Sequence, residues 1–220
     1  MSPKKLILLQ IPMTLLILGF MSGNEAKLLA LLVLWILTFG RLNRAEMALV
    51  LIACPFFTGM NIAALKQGIF AFRNPDFLGM PIYELFMWGF YLLHTKRLLA
   101  DHPPQDRRLA VWTLAIFFAT AFATIPDATL LLSVTGALLL IGLILFHDPM
   151  DIAYTGYMIL LGAAIEYMGV WTGQWHYPGN PSGGVPFWFI TLWGGVGLLL
   201  RRLALPILDR LLPTESKANQ

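Results

Sequence analysis

Residues 164–194 read AIEYMGVWTGQWHYPGNPSGGVPFWFITLWG. The stretch starts as the end of an apolar helix, passes through an aromatic loop without Lys or Arg, and finishes as the start of another helix. Residues 60–89, MNIAALKQGIFAFRNPDFLGMPIYELFMWG, follow the same plan. Gly68-x-Phe70-x-Phe72 answers Gly173-x-Trp175-x-Tyr177, and Asn74-Pro75 answers Asn180-Pro181. Gly79-x-Pro81 answers Gly184-x-Pro186, and Trp88-Gly89 answers Trp193-Gly194. The offset is 105 residues, with one residue inserted and one removed inside the loop. So many matched landmarks read as an internal duplication, with the two copies forming the walls of one site.

Composition sets the environment. Of 220 residues 58% are hydrophobic and only 12% charged, against about 25% charged in soluble domains. A polytopic membrane protein follows. The single cysteine, Cys54, lies in an apolar run and offers neither a disulfide nor a metal cluster. Lys4-Lys5 before an apolar run imitates a signal peptide, but the run continues through Met21 with no small-x-small cleavage site, so it reads as a retained first helix.

Apolar runs of roughly spanning length fall at 6–22, 27–40, 45–65, 81–99, 107–125, 127–146, 150–170 and 186–200. The predicted fold is therefore an all-α integral membrane protein of about eight transmembrane helices, arranged as two tandem four-helix repeats. Residues 1–104 form the first repeat, 105–212 the second, and 213–220 a polar tail expected to be disordered. A count of seven would merge or drop the second run. Charge favours eight: with the N-terminus inside, twelve Lys and Arg residues fall on the cytoplasmic side, and only Lys27, Lys66 and Arg73 fall outside. Both termini are then cytoplasmic, in a cell (inner) membrane, and both aromatic loops face outward. The repeats share one orientation, related by an axis along the membrane normal. Pro81, Pro186 and Asp148-Pro149 stand where helices start.

Two carboxylates sit at the outer edge of apolar helices: Glu84, one turn into the fourth, and Glu166, about one turn before the seventh ends. Ionisable groups in a span are costly and usually serve a function, here as general acid or base; the plainer alternative is that each bonds a loop amide or Arg73. Glu166 aligns with Asn61 of the other copy. Around them crowd Trp175, His176, Tyr177 and Trp188 in one copy and Phe70, Phe72, Tyr83 and Trp88 in the other. These aromatics form either an interfacial belt or an apolar pocket whose ring faces stabilise a passing cation. His94, beside Lys96-Arg97, reads as a headgroup contact. Gly162, Ala163, Ala164 and Gly169 permit close packing around Glu166. No metal, nucleotide or nucleic-acid motif is present.

The two loops resemble those of small multipass carotenoid-modifying proteins, namely membrane lycopene cyclase domains and hydratases similar to bisanhydrobacterioruberin hydratase. Leu78-Gly-Met-Pro-Ile-Tyr83-Glu84 looks like the cyclase Pro-x-Glu-Glu segment, with Tyr83 in place of its first Glu. The segment Glu166 to Tyr177, followed by Gly184-Val-Pro186, looks like the hydratase type. The resemblance covers two stretches of thirty residues. It implies a long apolar isoprenoid bound among the helices, an acid that protonates a double bond, and no cofactor.

The functional expectation is a membrane enzyme of isoprenoid (carotenoid-like) metabolism. It would carry out acid-initiated, redox-neutral cyclisation or hydration, as a cyclase- or hydratase-type lyase or isomerase. Glu166 is the leading proton donor, Glu84 a base or cation stabiliser, and Trp175, Tyr177, His176, Asn61, Tyr83, Trp88, Phe70, Phe72 and Trp188 line the substrate. Its partners are the apolar substrate and membrane lipids, not nucleic acid; the oligomeric state is open. The alternatives are a small-molecule or lipid transporter, or an accessory membrane subunit.

Overall fold

The computed structural model describes residues 3–99, 103–180 and 184–212. Pro181 and the polar tail from 213 onward, both read from sequence, lie outside these residues. The chain is mostly helical: α1 (Pro3–Phe20), α2 (Asn24–Phe39), α3 (Arg44–Lys66), α4 (Glu84–Leu98), α5 (Arg108–Thr124), α6 (Ala128–Phe146), α7 (Pro149–Trp171) and α8 (Trp188–Leu211). A π-helical turn at Leu200–Ala204 interrupts α8. The second run, which a count of seven would merge or drop, is a separate helix, α2. Ile125-Pro126-Asp127 does part α5 from α6, and Asp127 caps α6 by accepting from the Leu130 amide (2.7 Å).

Three helices, α3, α6 and α8, are long and apolar enough to cross a membrane, and Lys5–Phe20 and Arg108–Thr124 are apolar but shorter. The surfaces of the helices are greasy. Leu109, Ile144, Leu160 and Leu37 are among many large apolar side chains left largely exposed. Patches of that extent mark a lipid or partner environment rather than water.

Helix starts follow local chemistry. Asn43 and Glu46 form a capping box on α3, with the Glu46 amide donating to Asn43 Oδ1 (2.9 Å) and the Asn43 amide to Glu46 Oε2 (3.2 Å). Pro149 is the first residue of α7, and Asp148 Oδ1 accepts from the Met150 amide (2.9 Å). Pro81 and Pro186 stand two or three residues before their helices, in tighter turns, where the Glu84 amide donates to the Pro81 carbonyl and Phe189 to Pro186. Glu84 is therefore the first residue of α4, not a residue one turn inside it.

Contacts group the described residues into two compact units, Met1–Leu98 with Ala164–Val185, and Leu99–Ala163 with Pro186–Gln220. The C-terminal end of α7 and the second aromatic loop thus pack with the first hundred residues. Within the first unit the two loops meet as a short antiparallel ladder, β1 (Ala71–Phe72) with β2 (Trp175–His176), in which Ala71 faces His176 and Phe72 faces Trp175. The aromatic-x-aromatic alternation is the period-two pattern of a strand. It puts alternate rings on one face.

Both loops leave their helix by the same turn. Gly68 (φ 68°) and Gly173 (φ 70°) take the left-handed conformation that glycine tolerates best. The Gly68 amide donates to Leu65 and Ile69 to Ala64; Gly173 donates to Val170 and Gln174 to Gly169. This is the double bond of a Schellman cap, made twice.

Candidate functional site

The first unit gathers most of the expected residues. Glu166, half-buried on α7, accepts two hydrogen bonds on one oxygen: Trp175 Nε1–H donates to Oε2 (3.0 Å) and so does the Tyr177 hydroxyl (2.7 Å). Both donors come from β2 and the residue after it, so the Schellman turn at Gly173 folds the loop back onto its own helix. The Tyr177 phenol is held well above its ordinary pKa by burial, then by the neighbouring Glu166 charge and the bond to it. It therefore remains a hydrogen-bond donor at any physiological pH.

A missing side chain makes this fold-back possible. A Cβ on Gly169 would sit 2.0–2.3 Å from the Trp175 ring, so the indole lies directly on the α7 backbone. Gly169 is a packing residue, as the sequence predicts, and one that decides where Trp175 points. Gly169→Ala is expected to displace the indole and break its bond to Glu166, costing roughly 0.5–1.5 kcal/mol, the net range for an intramolecular hydrogen bond. Thermal unfolding of Gly169→Ala, Trp175→Phe and the double variant checks it. If both changes act on the one bond, the double loss falls well short of the sum.

Glu84, half-buried at the start of α4, interacts electrostatically with both Glu166 and Lys27. Lys27, which the charge pattern of the sequence places among the outer-loop charges, belongs to this site. It is buried on α2, donates to Gln174 Oε1, and lies 5.6 Å from the centre of the Tyr83 ring. Tyr83 is fully buried, and its hydroxyl has no hydrogen-bond partner among the described residues. The only sequence signal for Lys27 was comparative: the position 105 residues later is Leu132.

The aromatics divide. Phe70 and Phe72 lie edge to face (5.5 Å), Phe70 is tilted against Tyr177 (6.2 Å), and Phe72 meets the edge of Trp175 (5.9 Å). These four rings form one cluster across the ladder. Trp88 is stacked on Phe57 (4.0 Å) and edge-on to Tyr91 (6.1 Å). His176, in the ladder, is exposed, and Asn61 is half-buried on α3. Trp188 belongs to the second unit, edge-on to Phe122 (6.1 Å).

His94, read as a headgroup contact, is instead fully buried, with Nδ1 2.6 Å from Gln10 Oε1 on α1. An interior imidazole cannot reach a headgroup.

No family model, curated protein or solved structure matches this chain.

Proposed function

We propose that the chain is a membrane enzyme of isoprenoid metabolism that starts a redox-neutral cyclisation or hydration by protonating a carbon–carbon double bond. The observation that carries this reading is the placement of two carboxylates, Glu84 and Glu166, in one unit, with Glu166 held by Trp175 and Tyr177 of the ring cluster. Glu166 is the proton donor. Its proton forms the new C–H bond with the alkene's π pair, leaving a carbocation on the substrate and a carboxylate on Glu166. The bonds from Trp175 and Tyr177 strengthen as that negative charge develops, which is the differential stabilisation that catalysis requires. The ring faces of Phe70, Phe72, Trp175 and Tyr177 suit the cation. In cyclisation a second double bond attacks it, forming a C–C bond and a new cation that loses a C–H proton to Glu84 as an alkene re-forms; in hydration water adds and its O–H proton passes to Glu84. Lys27 offsets the charge of the pair.

The membrane architecture of this reading is eight spans in two duplicated halves. Support comes from matches well beyond the loops. Both ends of α3 and α7 are displaced by 105 residues. Glu46 pairs with Lys96 and Arg97, and 105 residues on Asp151 pairs with Arg201 and Arg202. Gly89 packs on Cys54, and Gly194 packs on Ile159 at the matching position. A ladder in which Ala71 faces His176, its own counterpart, is what a two-fold relation between the loops produces.

Two measurements test the proposal. Lipid extracts from cells that make acyclic isoprenoids should gain a cyclised or hydrated product when the protein is expressed; an unchanged profile across such substrates defeats the reading. Reporter fusions should place Asn74 and Asn180 on the outer side and Arg97, Arg107 and Arg202 on the inner side. Opposite sides for the two asparagines would end the parallel-repeat topology.

A further inference from the structure

The two halves serve as an internal control: what the fold alone requires recurs at an offset of 105, and what the chemistry requires need not. The inner ion clusters recur. A set of buried polar residues in the first unit does not. Gln10, Thr14, His94 and Thr95 are fully buried on α1 and α4, and Tyr91 is nearly so. Their counterparts are Ala115, Ala119, Leu199, Leu200 and, for Tyr91, Val196. The second half has its own buried Thr135–Thr191 hydroxyl pair, but no imidazole, phenol or amide at these positions. A helix pair of this kind therefore packs without them.

The residues also form a sequence in space. Tyr91 interacts electrostatically with Glu84 and Glu166 at one end. Positions three and four residues further along a helix adjoin it on the same face, which places His94 and Thr95 next. His94 then meets Gln10 at 2.6 Å. Because an amide oxygen only accepts, the bond puts the imidazole proton on Nδ1. Gln10 Nε2 is buried with no hydrogen-bond partner among the described residues, a donor suited to a bridging water. From Glu84 to His94 the helix rises about 15 Å at 1.5 Å per residue, most of the length of α4. The charged groups along the way are Lys27 on α2, beside Glu84, and Lys96 and Arg97, which Glu46 on α3 engages.

We propose that Tyr91 and His94, with Gln10 orienting the imidazole and bridging water taking the proton onward, form a proton-transfer route between the Glu84–Glu166 pair and the opposite end of α4. A neutral imidazole accepts a proton on one nitrogen as it releases one from the other, so the route moves protons without a net change in the residue. The proposal rests on the acid-pair reading above, and it adds the path by which the pair exchanges protons with the far side.

The test uses the full-length protein in lipid nanodiscs and needs no substrate. Infrared spectroscopy follows the C=O stretch of a protonated carboxyl, assigned by its loss in Glu84→Gln or Glu166→Gln, during transfer to heavy water. His94→Leu and Gln10→Ala install the residues of the second half, and His94→Gln keeps a hydrogen-bonding group beside Gln10 but cannot shuttle. All three are expected to slow deuteration of the carboxyl by at least about tenfold, with unfolding temperatures near that of the wild type. A purely structural role would let His94→Gln exchange at the wild-type rate, and that result overturns the route. Should His94→Leu not accumulate, His94→Gln and Gln10→Ala carry the comparison. If no band responds to either carboxyl substitution, the acid pair itself is wrong and the route falls with it. A band that responds, with exchange unchanged in the variants, removes the route alone.

Discussion

Glu166→Gln is expected to insert and fold at near-normal yield while product formation falls about 10²-fold or more, the range for loss of a general acid. The amide keeps the size of the side chain, and its oxygen still accepts from Trp175 Nε1 and the Tyr177 hydroxyl, which hold Oε2 at 3.0 and 2.7 Å in the native protein. Only the transferable proton is lost, so the variant separates acid catalysis from packing. Glu166→Asp should retain part of the activity, limited by a carboxyl one methylene short of both donors. Glu84→Gln should be impaired less if Glu84 receives the proton after the cation has formed. The measurement is the product-to-substrate ratio in lipid extracts at matched protein levels. A normal ratio for Glu166→Gln would sink Glu166 as the donor, whatever Glu84 does.

Much of this was legible in sequence because it rests on periodicity and punctuation. Runs of apolar residues located all eight helices, and Asp148-Pro149 and Ile125-Pro126-Asp127 located two of the breaks through capping chemistry that depends on neighbours alone. Glu84 and Glu166 stood out because an acid in an apolar run carries its own cost. Other features depend on what lies opposite, which no single stretch records. Lys27 looked like an ordinary loop charge until α2 buried it against Gln174 and Tyr83. His94 stood next to Lys96 and Arg97 in sequence, yet a helix turns about 100° per residue, and that rotation carries its side chain to Gln10 instead. The ladder between the loops was written in the aromatic-x-aromatic alternation, but pairing across some hundred residues is invisible to a local pattern.

Two ion clusters, Glu46 with Lys96 and Arg97 and Asp151 with Arg201 and Arg202, explain where the second large effect is expected. Asp151 is fully buried and holds both Arg201 (2.5 Å) and Arg202 (2.7 Å), each with a side chain 2% exposed. Arg202 also stacks over the Phe146 ring at 4.5 Å and donates to the Gln105 carbonyl at 3.1 Å. Asp151→Ala leaves two interior guanidinium groups without their shared carboxylate, an arrangement that costs about 3–5 kcal/mol when one partner of a buried pair is removed. Asp148, 19% exposed, touches both arginines at 2.9 and 3.3 Å, so part of the charge stays compensated and the loss should fall toward the lower end. Glu46→Ala makes the matching change in the first half. There Lys96 and Arg97 keep 23% and 22% exposure and can turn to water, so the cost should be distinctly smaller. Reversible unfolding of both variants in mixed micelles gives the comparison. Equal losses would mean that burial does not set the strength of these clusters, and a loss below about 1 kcal/mol for Asp151→Ala would place it among exposed surface pairs rather than among buried ones.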